Sequence, residues 1–339
     1  MRKYLPVFLL FPLAFGSLAT QPATELIYVT NEDSGDVSII TTAGFTVLAT
    51  IPVGQRPRGL KVSPDGKSVF VALSGSPKCP PTMPDSVCDQ LKADKTKDGI
   101  AVVNLADRRV LRILPGGSDP EQFDISPDGN RLYIANEDVH TMTVLDVQTG
   151  SIVKTIPVGR EPEGVTVSPD GQLVYITSET DHSVSVIDAA SLAVKATIKV
   201  GIRPRSIAFS PDGKRAYVSG EFDRSISLIN VSTSQVLHRI ILPDGALPMG
   251  VAVSATGNTL FVANGRGKTV SEIDLTTRRV VRSLEVGKRP WGLALSQDGR
   301  YLYTANGPSD DVTVVDLATW QVRQRVRVGK TPWGVVVGQ

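Results

Sequence analysis

The sequence predicts an all-β fold: a seven-bladed β-propeller of four-stranded blades, closed by a C-terminal strand that completes the N-terminal blade. Three observations carry this. Prolines recur at Pro57, Pro120, Pro162, Pro204, Pro248, Pro290 and Pro332, with gaps of 63, 42, 42, 44, 42 and 42 residues. A period near 42 with strand-like content marks a propeller repeat. Thirteen residues after each of the first six prolines stands an aromatic: Phe70, Tyr133, Tyr175, Tyr217, Phe261 and Tyr303. Finally, the two ends are complementary. The chain stops at "TPWGVVVGQ", a first strand without its followers, and the repeat begins at "ELIYVTN", a second strand without a first. Tyr303 to Pro332 and Tyr28 to Pro57 both span 29 residues. The last strand therefore belongs to the first blade, and closure removes exposed sheet edges.

Each repeat divides the same way. Strand A follows the proline, as in "GVTVS" from Gly164. A Pro-Asp-Gly turn comes next at 64–66, 127–129, 169–171 and 211–213, with proline at the first central position and glycine where the backbone turns left-handed. Strand B carries the aromatic, as in "LVYIT" from Leu173. Strand C alternates, as in "SVSVID" at 183–188, and strand D is "VKTIPVG" at 153–159 and its equivalents. No segment has helical periodicity.

The N-terminus reads as a leader. Arg2 and Lys3 precede an apolar run from Leu5 to Phe15 and then Ser17-Leu18-Ala19, the pattern of a signal peptide over 1–19 with the single propeller domain over 20–339. The run is too short to span a bilayer, so the expected protein is periplasmic or secreted, with no membrane span. The chain has 36 Lys+Arg and 34 Asp+Glu; removing the two basic residues of 1–19 leaves 34 − 34 = 0. A neutral chain lacks the positive field of a nucleic-acid binder, which makes that partner class unfavourable.

The first gap of 63 exceeds the period by 21 residues. The surplus falls between strands B and C of the second blade, as an insertion at 74–99 rich in Pro and Lys. It contains both cysteines, Cys79 and Cys88, for which an oxidising compartment predicts a disulfide. Closing so short a loop is worth roughly 2–3 kcal/mol on the chain-entropy account.

Candidate chemistry lies on the face of D–A and B–C loops, since the opposite face consists of repetitive structural turns. Around the ring, the residue after each proline reads Trp333, Arg58, Glu121, Glu163, Arg205, Met249, Trp291. These positions rim the central channel. The B–C loops add Glu32, Glu137, Glu179 and Glu221, with His140 and His182 at matching positions; the D–A loops add Arg56, Asp119, Arg160, Glu161, Arg203 and Arg289. One side of the mouth thus carries glutamates flanked by arginines, and the opposite side two tryptophans and a methionine. The plainest pairing is Arg58 with Glu121 and Arg205 with Glu163, as solvated ion pairs worth little, with the tryptophans packed against neighbouring blades. The sharper reading is a site with a charged half and an aromatic half for a small amphipathic ligand or a protein partner.

"YVTN" at 28–31, with "YIAN", "YVSG", "FVAN" and "YTAN" at equivalent positions, resembles the YVTN-type β-propeller repeat family. "GGSDPEQFDISPDGNRLYIANED", "REPEGVTVSPDG" and "VGKTPWGVVV" resemble more closely the PQQ-dependent catabolism-associated β-propeller proteins. That resemblance implies a place beside periplasmic quinoprotein-linked alcohol oxidation. PQQ itself is not implied, because the eight blades and tryptophan-docking repeats of quinoprotein dehydrogenases are missing. The leading expectation is an exported, monomeric, non-enzymatic binding or accessory propeller without a cofactor. The first alternative is a lactonase-like hydrolase holding a divalent cation on Glu121, Glu163 and Asn136, although the intervening arginines compete with the ion. The second is a propeller binding single-stranded nucleic acid through Arg289, Trp291 and Trp333.

Overall fold

Strand B of every repeat has an unbroken apolar centre because it lies inside a blade covered on both faces: its last five residues are buried in all seven copies. Strand D alternates instead and is largely exposed, as in the segment Gln235–Ile241. That gradient fixes the order within a blade, with A innermost and D at the rim.

The computed structural model describes residues 25–78, 85–88 and 90–338. Seven four-stranded antiparallel sheets form the ring. Blade 1 combines Pro332–Gly338 as strand A with Leu26–Asn31, Asp36–Thr41 and Thr46–Pro52. Its closure is antiparallel, with Tyr28 opposite Val336 and Leu26 opposite Gly338. Blades 2 to 7 run over 57–114, 120–157, 162–199, 204–241, 248–285 and 290–327. Each strand A packs on the strands A of its two neighbours, which completes the circle. The apolar core lies between adjacent blades, with Tyr133 and Ile176 in one such layer and Tyr175 and Val218 in the next.

Three features of the repeat place the mouth residues. The register slips between the proline and the third residue after it, as between Pro162 and Val165; this bulge re-aims the two residues between. Second, Gly164 abuts the next blade: a Cβ there would stand 2.1 Å from the Arg205 carbonyl oxygen. Third, the hydroxyl at the third position of the YVTN-like motif donates to the backbone of the next blade's mouth residue. Thr30 Oγ1 bonds the Arg58 carbonyl at 2.6 Å, Thr177 that of Arg205 at 3.2 Å, and Ser219 that of Met249 at 2.6 Å. The fourth position, Asn31 or Asn136, ties strand C to strand B through Nδ2.

The predicted leader and Cys79 lie outside the described residues, and with Cys79 the pairing to Cys88. The described insertion joins strands B and C of blade 2. Its ends are clasped by Gly75 N–H donating to Asp98 at 2.7 Å and Asp94 N–H to the Gly75 carbonyl at 2.9 Å. It leans over the mouth, where Lys78 reaches Glu32 at 3.0 Å and Lys95 reaches Asp138 at 2.5 Å. Among the described residues, no helix is long and apolar enough to cross a membrane.

Candidate active site at the channel mouth

The D–A loops aim the site through an unusual backbone. In six of seven blades the residue before the proline is left-handed: Arg56, Asp119, Glu161, Arg203, Arg289 and Thr331, with φ between 44° and 58°. In five of these the carbonyl then accepts from the first N–H of the same blade's B–C loop or its ring-closing equivalent, as Arg203 accepts from Glu221 at 3.0 Å and Thr331 from Glu32 at 2.9 Å; in blade 2 the Ser74 N–H goes to the Gln55 carbonyl instead. Each loop pair is thereby locked together, with the proline, its predecessor and the B–C glutamate facing one opening.

Two buried ion networks result. Arg58, 3% exposed, donates to Glu121 at 2.7 Å, Asp119 at 2.6 Å and Glu137 at 3.3 Å. Arg205 donates to Glu163, to Glu179 and, at 2.9 Å, to Glu221. The expected pairs Arg58–Glu121 and Arg205–Glu163 therefore form, but they are buried and three-armed rather than solvated. Desolvation at such sites makes a missing partner costly. Burial pushes Glu121 well above the ordinary carboxylate range despite the pull of Arg58, and Glu137 reinforces the rise. Against its own burial, Glu137 is drawn down to about 2 by a hydrogen bond with Glu121 and the charge of Arg58. Burial likewise holds Glu163 high beside Glu179, against the pull of Arg205. The ring thus contains two carboxyl pairs, Glu121–Glu137 and Glu163–Glu179, one blade apart and alike in design.

The aromatic half is not opposite the charged half but in contact with it. Trp291 and Trp333 stack with ring centroids 5.7 Å apart, and the guanidinium groups of Arg205 and Arg289 lie 5.5 and 4.5 Å from the Trp291 ring. Trp333 is buried and Trp291 half-buried; Met249 is buried. A mouth cavity of about 500 Å³ is lined by Arg58, Glu121, Glu137, Arg289, Trp291 and Trp333 among others. A narrower cavity of about 170 Å³ continues among the inner strands past Met249. Arg205, Trp291 and Trp333 line both and form the partition.

The histidines do not enter this site as ligands. His140 accepts from the Glu161 N–H at 3.3 Å, and His182 is 2.8 Å from the Glu179 carbonyl. Residues that the mouth pattern did not single out are Lys78 and Ser74, both in the insertion of blade 2, and Arg266, in the B–C loop of blade 6, where neither a glutamate nor a histidine marks the position. A divalent cation does not fit the carboxylates: the guanidinium groups of Arg58 and Arg205 occupy the point on which they converge. Asn136 gives its Nδ2 to Thr143 at 2.7 Å. Among the described residues no cluster of His, Cys, Asp and Glu has metal-holding geometry.

Two family models match parts of the chain: a lactonase, 7-bladed β-propeller family over 188–321 and a YNCE-like β-propeller family over 117–212. A comparison with curated proteins finds no match. Among solved structures, a proposed 6-phosphogluconolactonase from Bacteroides fragilis shares 17% identity at TM-score 0.77, covering 94% of this chain and 99% of that one. Its counterpart from Bacteroides uniformis gives 18% and 0.74, covering 93% and 99%. Kuenenia stuttgartiensis hydrazine synthase gives 21% and 0.70, covering 83% and 89%. At these identities the structures establish the propeller alone. The lactonase family match overturns the expectation of a non-enzymatic accessory propeller and favours the lactonase-like alternative. The matched families are not the PQQ-associated one, so that finer resemblance rests on the motifs alone.

Proposed function

We propose that the protein is an exported, metal-independent lactonase-like hydrolase working at the channel mouth. The observation that carries this reading is the Glu121–Glu137 pair, with Glu121 buried and Glu137 partly exposed to the mouth cavity, whose members are pushed to opposite sides of the ordinary carboxylate value. Two interacting carboxyls set apart in this way supply one acid and one base at the same pH. The ionised Glu137 accepts a proton from water as the water oxygen bonds to the lactone carbonyl carbon. The guanidinium groups lining the cavity stabilise the oxyanion that forms. As the intermediate collapses, the ring C–O bond breaks and the leaving oxygen takes the proton of Glu121, giving the hydroxy acid. Transfer of the proton from Glu137 to Glu121 restores the pair. One water is consumed, with no net proton change on the enzyme.

The test is hydrolysis of a panel of γ- and δ-lactones followed by base uptake, with and without a chelator. The expected result is chelator-insensitive turnover that falls by about 10²-fold or more in Glu121→Gln. Turnover of no lactone, or turnover abolished by the chelator, overturns the reading.

A further inference from the structure

The mouth is electrically lopsided. On the Arg58 side a single buried guanidinium faces Asp119, Glu121 and Glu137. On the Trp side the balance reverses. Arg203, Arg205, Arg266 and Arg289 all line the cavity, and the carboxylates facing them are Glu163, Glu179 and Glu221. Arg205 takes all three. Arg203 shares Glu179 at 2.6 Å and Glu221 at 3.6 Å, and Arg266 reaches only Glu221, at 4.0 Å. Arg289 has none: among the described residues no carboxylate lies within ion-pairing distance of it, and its guanidinium makes no hydrogen bond. Four guanidinium groups against three carboxylates leave 4 − 3 = +1. The excess grows when Glu163 keeps its proton, as burial favours.

Arg289 is also held in place without a partner. Its backbone is left-handed, φ 50°, its carbonyl accepts from Gly307 at 3.4 Å, and its side chain lies on Trp291. The indole face fixes the guanidinium plane and leaves the fork of N–H donors free. Burial, and then the repulsion of Arg266, weaken its hold on its proton. A partly buried charge with a like neighbour, and with Glu221 and Glu32 acting on it only from beyond ion-pairing distance, is an arrangement that costs stability unless something completes it.

We propose that Arg289, supported by Arg266 and Arg203, is the specificity-determining residue that docks an oxyanion group carried by the substrate. This rests on the hydrolase reading for the word substrate, but not for the anion site. A planar fork presents two parallel N–H bonds to a carboxylate or a phosphoryl group, the two chemistries that complement it. With the anion held beside Trp291, the apolar body of the ligand lies on the Trp291–Trp333 stack and its reactive carbonyl extends toward Glu121 and Glu137. A neutral lactone lacks this anchor and should be the poorer substrate.

The test is binding, with no turnover required. Inorganic phosphate and acetate are titrated separately by calorimetry into the whole protein at constant ionic strength set by chloride. Thermal melting is followed in parallel. Saturable binding of one or both anions is expected, weakened at least about tenfold in Arg289→Ala and Arg289→Gln and partly retained in Arg289→Lys. Phosphate without acetate assigns a phosphoryl group, and acetate without phosphate a carboxylate. Without added anion, Arg289→Ala should melt at the wild-type temperature or above it, because it removes an uncompensated charge and no ion pair. Failure of both anions to bind saturably, or undiminished binding by Arg289→Ala and Arg289→Gln, overturns the proposal. Arg289-dependent binding in a protein that hydrolyses no lactone overturns the hydrolase and leaves the anion site standing. Hydrolysis without Arg289-dependent binding does the reverse.

Discussion

At the scale of single residues, the two members of the Glu121–Glu137 pair pull the pH dependence of stability in opposite directions. Glu137 has a folded value of about 2 against an ordinary 4.5. Its contribution is therefore complete above the ordinary value and is lost as pH falls through about 2. Glu121 is raised above 4.5, so its contribution is complete below that value and is lost as pH rises through the folded one. Glu163 behaves as Glu121 does. The sum has its maximum near the ordinary carboxylate value, and the protein should lose stability steadily toward alkaline pH. Glu121→Gln removes one proton from that decline, so its melting temperature should fall less steeply than wild type as pH rises above the ordinary carboxylate value. Parallel slopes for the two proteins would show that Glu121 carries no excess proton.

At the scale of the element, strand A has two jobs that meet at one glycine. It must present Arg58, Glu121 or Arg205 to the mouth, and it must lie close enough to the next strand A to complete the ring. Gly164 meets both demands: its N–H donates to Thr177 Oγ1 at 2.7 Å, and its missing Cβ leaves room for the Arg205 carbonyl. Gly164→Ala should cost about 1–3 kcal/mol by overpacking. It should also disturb the Arg205 network, so lactone turnover should fall further than folding alone explains. An alanine variant with wild-type melting would show that neighbouring strands can yield. The same element shows why the site was only half legible. The period of the prolines places Arg58, Glu121, Glu163, Arg205, Met249, Trp291 and Trp333 around one opening; in the structure Arg58, Glu121, Arg205, Trp291 and Trp333 line the mouth cavity, while Met249 lines only the inner one and Glu163 stands behind Arg205. The pairs Arg58–Glu121 and Arg205–Glu163 were legible, but the further arms to Asp119, Glu137, Glu179 and Glu221 were not, because they depend on the left-handed residue before each proline. Local sterics favour an extended backbone at that position. The bond to the B–C loop overrides them, and it swings Arg289 onto Trp291 and Arg203 onto Glu179. The burial of the networks was hidden for a related reason: alternating charge reads as solvated surface until the ring encloses it.

At the scale of the whole molecule, the fold was legible almost completely, because a ring needs its repeats in phase and its ends in complementary register. The 21-residue surplus in blade 2 did not disturb this, since its ends are clasped at Gly75 and Asp98 and the blade never sees its length. Closure, by contrast, concerns every blade. Pro332–Gly338 supplies the inner strand of blade 1, places Trp333 against Trp291, and packs on the inner strands of blades 2 and 7. Removing 331–339 deletes four ladder pairs with Leu26, Ile27, Tyr28 and Val29 together with the Asn31 contact. It leaves Tyr28, Leu60 and Val335's neighbours Val312 and Val314 open to water, and exposes a sheet edge at the axis. Because each blade packs only on the two blades beside it, the break opens the ring instead of shortening it. The truncated chain should lose its cooperative melting transition or melt far below the parent, with exposed apolar surface reported by dye binding. The same peptide added in trans should restore part of the transition by strand addition. A truncated protein that melts cooperatively at the parental temperature would mean that the seven blades stand without a lock.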